Sequence, residues 1–176
     1  RKLENITFEC FQCGKYKLGN KMTTINQFVF SETNLKKVYL PDSIQIIRSG
    51  AFCRCKNLTF ISIENSLINK ISQCAFSQTG LTGITLPPTI TRIYDSAFAY
   101  CKNLKYVDQL SSATNNTIII HSKAFAGCDI TVFYLTATFV EMIAADIFQN
   151  STLKIFCYNM GTSLYQGIFQ NCELET

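Results

Sequence analysis

Residues 56–101 read KNLTFISIENSLINKISQCAFSQTGLTGITLPPTITRIYDSAFAYC. Within this stretch the block Leu58-x-x-Ile61-x-Ile63 returns as Leu81-x-x-Ile84-x-Leu86. The block Ile71-x-x-x-Ala75-Phe76 returns, after almost the same interval, as Ile93-x-x-x-Ala97-Phe98. Two segments in fixed order, returning at one spacing, are the mark of a repeat protein. In the first block apolar side chains alternate, which is the period of a half-buried strand. The prolines that follow, Pro41 and Pro87, end such strands because proline has no N–H for a ladder.

The pattern extends in both directions. Phe30, Phe52, Phe76, Phe98, Phe125, Phe148 and Phe169 each follow an Ala, Val or Ile and recur at a nearly constant interval. Four residues before that small or branched position stands an aliphatic: Ile25, Ile47, Ile71, Ile93, Ile120, Ile143 or Leu164. Three residues after the Phe stands a small donor: Thr33, Cys55, Thr79, Cys101, Cys128, Ser151 or Cys172. The strand block recurs from Leu35, Leu58, Leu81, Leu104, Ile130 and Leu153, with a further copy at Leu3-x-x-Ile6-x-Phe8 and a last opening at Leu174. Between leading aliphatics the first interval, Leu3 to Leu35, is the longest, and the fifth, Leu104 to Ile130, carries a short insertion; the others are close to equal. A period of 20–29 residues with an L-x-x-L-x-L block is the signature of leucine-rich repeats.

The spacing therefore predicts one domain over 1–176: a β-rich leucine-rich-repeat solenoid, a right-handed arc of about seven 21–32-residue repeats with a parallel concave sheet. Residues 1–24 read as an atypical N-terminal cap, repeats begin at about 25, and the chain reads as cut within or just after its last repeat. Stacked at ~4.8 Å, seven strands span roughly 29 Å. The seven phenylalanines are expected to stack as an internal spine, worth on the order of 10–20 kcal/mol before entropy.

Alternation also assigns the outward columns. One runs Asn5, Lys37, Phe60, Gly83, Tyr106, Val132 and Ile155; the other runs Thr7, Tyr39, Ser62, Thr85, Asp108, Tyr134 and Cys157. Phe60, Tyr106, Val132 and Ile155 then form an apolar stripe, flanked by Tyr39 and Tyr134. Contiguous exposed apolar surface marks binding sites, and aromatic side chains are enriched at interface hot spots. Lys37, Tyr39, Phe60, Ser62, Thr85, Tyr106, Asp108, Val132, Tyr134 and Ile155 are accordingly the expected protein-binding residues. The bland alternative is that these side chains only cover one another on a flat sheet, since such residues suit strands in any case.

The stretch Leu81-Thr82-Gly83-Ile84-Thr85-Leu86-Pro87, followed by Ile93-Tyr94-Asp95-Ser96-Ala97-Phe98-Ala99-Tyr100-Cys101, closely resembles the BspA-like leucine-rich-repeat consensus. That consensus is C-x-x-L-x-x-I-x-L-P followed by I-x-x-x-A-F-x-x-C. The resemblance covers about residues 21–176. It implies a surface-exposed or secreted protein, with adhesion or host-protein binding as its role.

Composition narrows the alternatives. Apolar residues make up 47% of the 176, so disorder is excluded. The net charge of +4 is spread without a block of like charges, so nucleic acid is not an expected partner. The most apolar stretch, Val132–Val140, is nine residues and holds Thr136 and Thr138, well short of the ~20 apolar residues of a spanning helix. The chain opens at Arg1 without an apolar leader and reads as mature or trimmed. His121 is the sole histidine and reads as a turn residue. No P-loop, G-x-S-x-G or H-E-x-x-H occurs, so neither an enzyme, a cofactor, a metal nor a small-molecule substrate is expected.

Nine cysteines are present. Those in the column after Phe read as buried thiols that hydrogen-bond a neighbouring turn, with a Cys101–Cys128 bridge left open. Cys10-Phe11-Gln12-Cys13 reads as a tie for the cap, with redox and half-zinc readings beside it. Sequons stand at Asn5, Asn57, Asn115 and Asn150, the third in the inserted loop of the fifth repeat. The functional expectation is an extracellular or cell-surface protein-binding module, adhesin-like. The alternative is a structural surface coat that self-associates through the same stripe.

Overall fold

The computed structural model of the chain describes residues 7–10, 14–16, 22–110, 117–135, 139–144, 146–157, 163–164 and 173–174. Strands β1 (Thr7–Cys10) and β2 (Gly14–Tyr16) form an N-terminal hairpin. Then follow β3 (Thr24–Ile25), β4 (Leu35–Tyr39), β5 (Ile46–Ile47), β6 (Phe60–Ser62), β7 (Lys70–Ile71), β8 (Gly83–Leu86) and β9 (Arg92–Ile93). The series continues with β10 (Tyr106–Gln109), β11 (Thr117–Ile120), β12 (Asp129–Tyr134), β13 (Phe139–Met142), β14 (Thr152–Cys157), β15 (Ser163–Leu164) and β16 (Glu173–Leu174). Odd-numbered strands from β3 to β15 form one parallel sheet of seven. Even-numbered strands form the other wall, parallel within β4–β6 and β8–β16. The two even runs meet where β8 stacks on β6 and the Thr82 N–H donates to the Thr59 carbonyl at 3.3 Å.

The chain is thus a parallel-strand β-solenoid, with no helix among the described residues. About five turns separate β3 from β13, fewer than the seven repeats counted along the whole sequence. The first counted copy is not a turn of the solenoid. Strand β1 pairs antiparallel with β4, placing Thr7 opposite Tyr39 and Glu9 opposite Lys37. Glu9 therefore stands beside Lys37, and Asn5, expected in that column, lies outside the described residues. A period of two reads the same in either chain direction, so it carries no polarity.

The second parallel sheet is built from the segment that leads into each Ala-Phe pair. Its strands between β3 and β9 are two residues long, each pointing one isoleucine inward: Ile25, Ile47, Ile71 and Ile93 are all fully buried. Three residues earlier Ile44, Ile68 and Ile90 form a further fully buried column. The sixth repeat departs from the expected phase. Met142, not Ile143, pairs with Ile120 and is buried, while Ile143 is 46% exposed.

Between the sheets the Ala-Phe segment makes a third, hydrogen-bonded side. The N–H groups of Phe30, Phe52, Phe76 and Phe98 donate to the carbonyls of Ala51, Ala75, Ala97 and Ala124 at 2.8–2.9 Å. Two residues on, Glu32, Arg54, Gln78, Tyr100 and Gly127 repeat the bond to the next turn at 2.7–2.8 Å. Left-handed backbone flanks the pair in successive repeats. Gly50, Cys74, Ser96 and Lys123 precede it with φ of 54–62°, and Glu32, Arg54, Gln78, Tyr100, Gly127 and Asn150 follow it with φ of 56–68°. Two such residues per turn block a right-handed helix and turn the N–H groups along the solenoid axis.

The phenylalanine rings fill the interior. Phe52, Phe76, Phe98, Phe125 and Phe148 are fully buried and Phe30 nearly so. Successive rings from Phe30 to Phe148 stand 5.2–5.7 Å apart, with interplanar angles of 17° or less. Phe133 closes the column edge-on against Phe125 and Phe148, at 5.1 and 5.3 Å. Phe169 lies outside the described residues.

The donor column after each Phe serves the backbone. Cys55, Cys101 and Cys128 Sγ donate to the carbonyls of Phe30, Phe76 and Phe98 at 2.8, 3.0 and 3.1 Å, and Ser151 Oγ donates to that of Phe125 at 2.7 Å. Cys55, Cys101 and Cys128 are free thiols, so the bridge left open between Cys101 and Cys128 is not formed. Burial pushes the Cys101 thiol up to about 11, with the Thr79 hydroxyl opposing, and raises Cys128 well above its ordinary value for the same reason.

Candidate functional site

The outer face of the even-numbered sheet carries the exposed side chains expected to bind. Register aligns Lys37 with Phe60, and Gly83 with Tyr106, Val132 and Ile155 in turn. The neighbouring column aligns Tyr39 with Ser62, Thr85 with Asp108, and Tyr134 with Cys157. Tyr39 and Phe60 are each 39% exposed, and Tyr106 and Tyr134 each 46%. Lys37 is exposed, while Ser62, Thr85, Asp108 and Val132 are half-buried. Of Ile155 and Cys157 only the strand placement is described.

Tyr39 and Phe60 pack on each other, with ring centroids 5.4 Å apart at a tilt of 49°. Tyr106 leans across its neighbour strand. A Cβ built on Gly83 would stand 1.9 Å from Tyr106 Cζ, so the ring occupies the space a side chain there would take. Covering a strand glycine with a cross-strand aromatic holds the ring in place and shields the backbone. The same device recurs elsewhere: Phe28 covers Gly50 and Tyr100 covers Gly127. Phe28 is 56% and Tyr100 53% exposed, so exposed aromatics also lie outside the expected face. The sequence pattern missed these two because both fall in the left-handed turn, which alternation does not reach.

The remaining candidates are dispersed. Asn57 is exposed and its amide donates to Asn34 Oδ1 at 3.4 Å; Asn150 is exposed on a left-handed residue. Asn5 and Asn115 lie outside the described residues, as do Cys13 and Cys172. Cys10 pairs with Gly14 in the hairpin and with Leu35 of β4. His121 stacks on Tyr94 at 4.8 Å, and its Nε2 is buried without a partner. Among the described residues no group of three His, Cys, Asp or Glu side chains could hold a metal ion. Among the same residues no helix is long and apolar enough to cross a membrane.

The model of the BspA type leucine rich repeat region matches residues 1–105 and 118–176 in six copies. The chain belongs to this family. BspA-type repeats build scaffolds for protein–protein interaction, and this chain is a repeat module of that kind. A similar solved structure is the crystal structure of a leucine-rich repeat protein from Bacteroides ovatus ATCC 8483, 16% identical, with a TM-score of 0.46. The alignment covers 96% of this chain and 48% of that one, so the BspA-type chain spans about half the length of that protein. No curated protein matches the sequence.

Proposed function

We propose that this BspA-type chain is an extracellular or cell-surface module, adhesin-like, that recognises host or matrix proteins through the outer face of its even-numbered sheet. The observation that carries the reading is the set of half-exposed aromatics on one sheet face: Tyr39 and Phe60 on the neighbouring strands β4 and β6, and Tyr106 and Tyr134 on the neighbouring strands β10 and β12. Two of them are held before any ligand arrives, Phe60 by Tyr39 and Tyr106 by its seat over Gly83. A side chain already ordered loses little entropy on binding, which favours affinity per contact. Exposed Lys37 beside Tyr39 and half-buried Asp108 beside Tyr106 add charged groups to the aromatic set and give it polar register. Family membership supports the surface location and the protein ligand.

The test is a binding screen against immobilised extracellular-matrix proteins, with Phe60→Ala/Tyr106→Ala as the comparison. The double variant should lose at least about tenfold in affinity, as for two interface anchors, while its melting temperature stays within a few degrees. Unchanged affinity would move the site off this face. A chain that binds itself in the same screen, with the double variant abolishing it, would support the surface-coat reading instead.

A further inference from the structure

A second site lies on a different side of the solenoid, at the corner where the Ala-Phe turn runs into the even-numbered strands. The sequence makes it by a difference in length. Cys55-Lys56-Asn57-Leu58 and Cys101-Lys102-Asn103-Leu104 each place two residues between the donor column and the strand; Thr79-Gly80-Leu81, in the repeat between them, places one. The short connection draws the backbone inward. A Cβ on Gly80 would stand 2.3 Å from the Lys56 carbonyl oxygen, a distance only glycine permits. The longer repeats on either side then form the walls of a notch.

That notch is a cavity of about 580 Å³. Lys56 and Lys102 stand on its two sides, Gly80 contributes to its floor, and Gln78, Thr79, Asn103 and Tyr100 complete the lining. None of the described residues that line it is acidic. The adjoining groove of about 600 Å³ shares Lys56 and Gln78 with the notch but also holds Glu32, which accepts from Arg54 at 2.8 Å. Two cations facing one concavity without a carboxylate give a site complementary to an anion.

We propose that this notch binds an acidic saccharide, a sugar unit carrying a sulfate or carboxylate group. The two ammonium groups take the anionic substituent. Gln78 and Asn103 each offer both a donor and an acceptor, the pairing that sugar hydroxyls require. The half-exposed ring of Tyr100, held over Gly127, supplies an apolar wall for the C–H face of the sugar. A volume of this size suits one or two sugar rings; a bare inorganic anion would leave the amides and the ring unused. The site is separate from the aromatic face and stands or falls independently of it.

The experiment titrates a sulfated disaccharide, its unsulfated parent and inorganic sulfate into the isotopically labelled chain. Amide resonances are followed by NMR, at low and at physiological salt. The sulfated disaccharide should shift the amides of Lys56, Gln78 and Lys102, and should bind about tenfold more tightly than its parent. Lys56→Ala/Lys102→Ala should erase that difference without changing the melting temperature, because both side chains are exposed. Phe60→Ala/Tyr106→Ala should leave the titration unchanged. Equal binding of the parent sugar would overturn the proposal. So would inorganic sulfate binding as tightly as the sulfated sugar, a titration unaffected by the lysine substitutions, or one abolished by the aromatic double variant.

Discussion

Removing one ring from the middle of the spine is the sharpest perturbation of this fold. Phe98 is fully buried and stacks on Phe76 and Phe125, each at 5.3 Å, with interplanar angles of 11° and 2°. Burial of the side chain is worth about 1.5–3 kcal/mol. Each stacked pair adds about 0.5–1.5 kcal/mol beyond its area. Phe98→Ala forfeits all three contributions and leaves a void between two rings held by their own turns. The expected cost is about 4 kcal/mol, inside the roughly 3–5 kcal/mol range of buried aromatic truncations. At about 2–4 °C per kcal/mol for a chain of this size, the melting temperature should fall by roughly 8–16 °C. Phe98→Leu keeps most of the apolar volume and loses both stacks, so about 1–3 kcal/mol is expected. Equilibrium urea unfolding of the three proteins measures both numbers. A Phe98→Ala cost below about 1 kcal/mol would refute the reasoning, because a column that yields so little cannot organise the repeats.

Four further outcomes follow from the turns and thiols. Cys128→Ser should be tolerated within about 1 kcal/mol, because Ser151 makes the same bond to its neighbour's Phe carbonyl; Cys128→Val should cost about 1 kcal/mol more for the lost donor. Urea unfolding of the two variants separates these values. Burial raises the Cys101 thiol to about 11, so the folded chain holds it neutral where the unfolded chain ionises. That contribution is complete below the ordinary thiol range near 9, and it is lost as pH rises from there through about 11; denaturation across that interval should show stability falling with pH. A thiol reagent at neutral pH should reach half-buried Cys53 and Cys74 in the native chain, and Cys55, Cys101 and Cys128 only on unfolding; native labelling of Cys101 would contradict its packing. Gly80→Ala should destabilise by about 1–3 kcal/mol, since the new methyl meets backbone rather than a yielding side chain; a neutral substitution in thermal melts would contradict the close approach.

The spine and the even-numbered strands were legible because each repeat declares them with several side chains. A Phe at one phase and an apolar-x-x-apolar-x-apolar block leave little freedom of register. The odd-numbered sheet was not legible for the opposite reason. Its strands around Ile47, Ile71 and Ile93 are two residues long, with one buried side chain each, and two residues contain no alternation to read. The slip from Ile143 to Met142 is of the same origin: adjacent apolar residues become distinct only once cross-strand pairing is known. The antiparallel entry of β1 escaped because alternation lacks direction. On the candidate face, exposure followed from alternation, but the seating of Tyr106 over Gly83 is a contact between residues one repeat apart in sequence and belongs to the stack. The notch at Gly80 was written in the sequence as a one-residue difference between Cys-Lys-Asn-Leu and Thr-Gly-Leu, a signal of length rather than of residue type.

The claim that the aromatic face is kept free for a foreign protein is tested most directly by sedimentation of the purified chain over a wide concentration range, with and without reductant. The account predicts a monomer at every concentration in reductant, for the native chain and for Phe60→Ala/Tyr106→Ala alike. A reversible dimer that persists in reductant and disappears in the double variant would contradict it, because the face would then be spent on a second copy of the same chain.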